Sequence, residues 1–119
     1  MKPLIASLKH ALSGLKTLIE EEPNYAIHLS AAALAIVIGL ALRINPAEWL
    51  ALILAIGLVL VIETLNTSIE NIMDFISTKR QPQIKRIKDL AAAAVLIAAI
   101  TAMAVGLIIF LPKIIKLLQ

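Results

Sequence analysis

Three stretches of this chain are apolar almost without interruption, and they decide its fold class. Leu90–Leu111 runs for 22 residues without a charged side chain. Ala26–Leu42 has 17 residues and carries only His28 as an ionisable group, and Ala47–Ile62 has 16 with only Glu48. A helix crossing a bilayer needs about 17–25 such residues. The apolar material is Ala, Leu and Ile, with aromatics at 3%, so it favours helix. The overall apolar fraction is 61%, above the roughly 45–50% of soluble domains. The expected fold is an all-α membrane protein of one domain.

The remaining sequence sets the joints. "RINPAE" separates the first two spans, with Pro46 at a helix start and Trp49 one turn inside, where an interfacial aromatic is expected. "STKRQPQIKRIKD" separates the second and third, with Pro82 as a breaker. Ahead of the spans, Leu4, Ile5, Leu8, Leu12, Leu15 and Ile19 recur at helical spacing, opposite Lys9, His10, Ser13, Lys16 and Glu20. That pattern predicts an amphipathic helix lying on the membrane surface. The expected organisation of residues 1–119 is a surface helix over 1–22 and spans over 26–43, 47–75 and 85–112. The opening residues do not read as a secretory signal.

Lys and Arg give the orientation. The surface helix and the second joint together hold eight (Lys2, Lys9, Lys16, Lys79, Arg80, Lys85, Arg86, Lys88), and the opposite side holds three (Arg43, Lys113, Lys116). The basic side is expected to face the cytoplasm. No basic stripe interleaved with aromatics is present, so nucleic acid is not an expected partner. The absence of Cys excludes disulfides and thiolate chemistry.

One segment contradicts its apolar setting. In "VIETLNTSIENIMDF", Glu63, Asn66, Glu70 and Asp74 fall within an arc of about 80° on a helix, with Thr67 beside them. Glu63 lies about 24 Å along the second span, near one edge of a hydrocarbon core about 30 Å thick. A helix ending in water explains Asp74 and Glu70. It does not explain Glu63, which directly follows unbroken apolar sequence. Ionisable groups at that depth cost several kcal/mol and mark function. Carboxylates on one rigid face beside Lys85, Arg86 and Lys88 suit Mg²⁺ carrying a phosphate. The glycines (Gly14, Gly39, Gly57, Gly106) are isolated, so neither a P-loop nor a kinase glycine-rich loop is present. A small ion-coupled transporter with Glu63 as its intramembrane site is the alternative.

"ETLNTSIENIMDF", followed by "KDLAAAAVLIAAI", resembles the prokaryotic diacylglycerol kinase/undecaprenol kinase family, and "GLKTLIEEEPNYAIHL" looks like that family's N-terminal segment. The resemblance covers essentially the whole chain. It implies a homotrimeric helical bundle, each protomer having a surface helix and three transmembrane helices. It implies transfer of the γ-phosphate of ATP, with Mg²⁺, to a lipid hydroxyl at the cytoplasmic face of the inner membrane. Residue by residue, it implies Glu63 as catalytic base and Glu70 and Glu22 as metal ligands. Asn66, Glu70, Asp74, Lys88 and Asp89 match the nucleotide-binding positions. His28, in its "IHL" context, matches the undecaprenol kinase branch and is the candidate substrate residue. Pro3, Ala26 and the "STKRQPQ" joint depart from the family pattern, the last where many members contact adenine.

Overall fold

The computed structural model describes residues 2–119, so the first residue of the expected surface helix lies outside it. The chain is all-helical: α1 spans Lys2–Glu21, α2 Pro23–Leu42, α3 Pro46–Ile76 and α4 Pro82–Leu118. Three of the four begin on a proline, whose fixed φ suits a first turn and whose missing N–H costs nothing there. Pro82 therefore opens α4, and the second joint shrinks to Ser77–Gln81. The α2–α3 corner is built differently. Arg43 adopts the left-handed conformation, with φ 53, and its N–H closes α2. Asn45 then caps α3 reciprocally with Glu48: Glu48 N–H donates to Asn45 Oδ1 at 2.8 Å, and Asn45 N–H donates to Glu48 Oε1 at 3.0 Å.

α4 is longer than the apolar run beneath it. Its 37 residues reach about 55 Å and continue through Pro112, which leaves the Ile108 carbonyl without its usual donor. Beyond the proline, Lys113 Nζ donates to Glu48 Oε2 at 2.8 Å, fastening the last turns of α4 to the first turn of α3.

α3 and α4 form the main packing pair, with α2 against α3 and α1 against α2. A small core of Ile44, Leu52 and Ile109, flanked by Trp49 and Phe110, closes the Glu48 end. Gly39 makes this closure possible. A Cβ there would lie 2.9 Å from Trp49 Cη2 and 3.1 Å from Ile44 Cδ1. Overpacking costs about 1–3 kcal/mol, against about 1 kcal/mol of helix propensity gained by Gly→Ala. Gly39→Ala is therefore expected to lower the thermal midpoint in detergent. Gly14→Ala, with nothing within 4 Å of the new methyl, should leave it unchanged or raise it. Equal midpoints for the two variants would contradict this packing.

α2, α3 and α4 are each long and apolar enough to cross a membrane. Their outward faces expose Leu34, Val37, Leu54, Ile97 and Ile108. In water so much contiguous apolar surface would aggregate; in a bilayer it faces lipid. The chain is accordingly read as a membrane protein.

Candidate functional site

The polar face of α3 begins at its most buried point. Glu63 retains 5% of its accessible surface and Thr67 7%. α2 supplies the neighbour of Glu63: His28 Nε2 stands 3.5 Å from Glu63 Oε2, with the ring partly open and the carboxylate covered. One turn on, Asn66 Nδ2 donates to Glu70 Oε1 at 3.3 Å. A carboxylate accepts only, so this contact fixes which way the amide points. Asn66 Oδ1 is left buried with no donor. Such an oxygen costs about 1–3 kcal/mol unless a proton or a cation meets it.

The polar face ends in a cleft at the α3–α4 joint. Lys88 on α4 reaches back to Asp74 on α3, Nζ to Oδ1, at 2.6 Å. Lys85 binds Asp89 one turn along α4, also at 2.6 Å. These residues, with Ser77, Thr78, Lys79 and Arg80, line a cleft of about 660 Å³. Both acids are neutralised by lysines. Among the described residues neither Lys79 nor Arg80 makes an ion pair, so the cleft carries surplus positive charge and favours an anion.

A second concavity lies on the other side of Glu63. It is an apolar groove of about 470 Å³ between α2, α3 and α4, walled by residues such as Ala32, Ile38, Leu52, Leu60, Met103 and Phe110. From His28 to Ile38 it runs about 15 Å. His28 is the single polar side chain among its lining residues. Glu63 is not among them, although its carboxylate lies 3.5 Å from the His28 ring.

The structure thus brings the sequence candidates together in pairs: His28 with Glu63, Asn66 with Glu70, Asp74 with Lys88. Asp89 joins the cleft through Lys85. Glu22 stands apart, at the N-cap of α2 with no side-chain capping bond. Among the described residues no three His, Cys, Asp or Glu side chains gather as a metal-binding group. Sequence reasoning missed the groove and the contact at its end. The only available signal was a histidine inside an otherwise uncharged span.

The comparisons with known proteins identify the family. The family model of prokaryotic diacylglycerol kinase matches residues 9–110. The chain is 37% identical to an undecaprenol kinase of Bacillus subtilis over 107 residues, covering 90% of this chain and 87% of that protein. It is 37% identical to a diacylglycerol kinase of Helicobacter pylori over 99 residues, 83% of this chain and 77% of that one. A diacylglycerol kinase of Escherichia coli is 32% identical over 99 residues, 83% of this chain and 81% of its own length. The matched region takes in both the polar face of α3 and the Lys88–Asp89 opening of the third span. The chain belongs to the prokaryotic diacylglycerol kinase family.

Proposed function

We propose that this membrane lipid kinase transfers the γ-phosphate of ATP to the hydroxyl of undecaprenol in preference to diacylglycerol. One observation carries the reading: the α3 polar face runs from the end of an apolar groove, at His28 and Glu63, to a cationic cleft at Asp74 and Lys88. A lipid with a terminal hydroxyl and a water-soluble triphosphate have to meet along such a face. The Bacillus protein named undecaprenol kinase and the His28 position support undecaprenol as acceptor. A carrier using Glu63 alone would have no need of the acids and lysines beyond it.

Phosphoryl transfer asks for positioning and charge neutralisation more than for covalent chemistry. Glu63 is the base that takes up the hydroxyl proton. Lys88, Asp74, Asp89 and Asn66 hold the nucleotide side. For Mg²⁺ the donor set fits: Glu70 offers a carboxylate and Asn66 an orphaned amide oxygen one turn away, both hard oxygen ligands. Glu70 and Asn66 of one chain would hold the ion with Glu22 of another, and the ion would neutralise charge on the transferring phosphoryl group.

That division requires an oligomer, a homotrimer by family. The Asn66–Asp74 face is too polar to front lipid, and among the described residues of one chain no complete metal set gathers. α1 is the surface helix: only Leu18 along it is buried, and Leu4, Leu8, Leu12 and Ile19 are free to enter the interface. The enzyme sits in the inner membrane with α1 and the α3–α4 joint cytoplasmic.

Lys88→Met removes a cation and leaves Asp74 facing the incoming triphosphate. Charged hydrogen bonds are worth about 1.5–3 kcal/mol, so KM for Mg-ATP should rise roughly 10–150-fold. Lys88→Arg should recover part of this only, because a planar fork does not replace a point charge. An unchanged KM in Lys88→Met would remove Lys88 from the nucleotide site. The acceptor is tested by kcat/KM for undecaprenol and diacylglycerol, each presented to the purified protein in vesicles. A higher value for diacylglycerol would overturn the assignment.

A further inference from the structure

We infer that Lys79 and Arg80 bind the phosphates of the nucleotide donor, and that this kinase selects its donor by phosphate charge rather than by base. The inference rests on the kinase reading above and names the donor class for the same cleft: nucleoside triphosphates at large. It starts from the charges in the cleft. Lys79, Arg80, Lys85 and Lys88 line it against only Asp74 and Asp89. Lys85 and Lys88 each hold one of the acids at 2.6 Å. Among the described residues Lys79 and Arg80 have no acidic partner. Both sit on the short joint between α3 and α4, in a turn where Lys79 N–H donates to Ser77 Oγ at 3.1 Å. A magnesium-bound triphosphate keeps a net negative charge, and a guanidinium beside an ammonium suits its several oxygens.

The same walls hold nothing that reads a base. A site separates one base from another by stacking it on a ring, or by buried polar groups that the wrong base leaves unpaired. Among the described residues no aromatic ring lines the cleft. Its neutral polar side chains are Ser77, Thr78 and Gln81. Thr78 and Gln81 are exposed, and the Ser77 hydroxyl is already engaged by Lys79 N–H. Phe75 points about 100° around the helix from Asp74. It is 92% exposed and outside the lining. Water competes for each of these groups, so an ill-matched base leaves no buried partner unpaired. The phosphates are what every such donor shares.

The test measures donor kinetics with the protein in phosphatidylcholine vesicles containing undecaprenol. Wild type should use ATP, GTP and CTP with kcat/KM values within about tenfold of one another, where a site that reads hydrogen-bonding edges separates analogues by about 10⁴-fold. Magnesium tripolyphosphate, which has neither base nor sugar, should compete with ATP. Lys79→Ala/Arg80→Ala, with its thermal midpoint in detergent unchanged, should raise KM for all three nucleotides alike by about 3–30-fold, the worth of two exposed charge contacts. Lys79→Arg/Arg80→Lys keeps both charges and should stay within about threefold of wild type. A preference for one base beyond about tenfold, no competition from tripolyphosphate, or a KM rise below about threefold in the folded alanine variant overturns the inference. A KM shift that appears only once phosphatidylglycerol is added would give the two cations to lipid headgroups, and overturns it too. Absence of transfer from every nucleotide by wild type would instead overturn the kinase reading itself.

Discussion

Glu63→Gln should lower turnover by about 10²–10⁴-fold, the usual cost of losing general-base function, while Mg-ATP still binds. The substitution is nearly isosteric, so the α2–α3 packing around this buried position survives. What disappears is charge. Lost with it is the group that takes up the hydroxyl proton, 3.5 Å from the His28 imidazole. The proposed nucleotide residues, Asp74 farther along α3 and Lys88 on α4, lie beyond Asn66 and Glu70 and should be unaffected. Rates measured against Mg-ATP and against lipid separate the two effects: kcat falls on both curves, and KM for Mg-ATP stays put. Near-normal turnover would make the Glu63 carboxylate a structural feature.

Glu70→Gln should fail in a different place. Glu70 holds the Asn66 amide at 3.3 Å and is the proposed metal ligand beside the orphaned Asn66 Oδ1. Losing even an outer partner of a metal site costs about 10–100-fold in affinity, and loss of a ligand should cost at least that. The Mg²⁺ concentration needed for half-maximal rate should rise accordingly. Glu22→Gln should share this phenotype although Glu22 lies outside the paired residues of its own chain. If the two glutamates meet across a subunit boundary, each variant alone is impaired at the Mg²⁺ concentration that half-saturates wild type, yet the two co-expressed regain activity there, because some sites then hold both wild-type residues. No recovery on mixing would assign both ligands to one chain.

Much of this arrangement was legible in the residues, and the gaps have physical causes. The three apolar runs gave the spans because backbone in lipid has to satisfy its own hydrogen bonds as helix. The Asn66–Glu70 pair followed from i, i+4 spacing, which a helix makes local. The far end of α4 did not follow: the span was expected over 85–112, whereas the helix runs on through Pro112 to Leu118. Lys113 is instead held by Glu48, 65 residues away, a contact that no local pattern encodes. His28 and Glu63 are likewise on separate helices. Their approach depends on how α2 leans on α3, set partly by the Gly39–Trp49 contact at the opposite end. The proposed Mg²⁺ site has no pattern to read for another reason, since no metal-binding group gathers among the described residues.

The central claim is phosphoryl transfer from a nucleotide to a lipid at the junction of groove and cleft. Purified protein in vesicles containing undecaprenol, given Mg²⁺ and ATP labelled in the γ-phosphate, tests it most directly. The label should move into the organic phase as a lipid phosphate in wild type, and should remain in ATP with Glu63→Gln. Label released only as inorganic phosphate, or retained in ATP with every lipid hydroxyl offered to the wild type, would contradict the account.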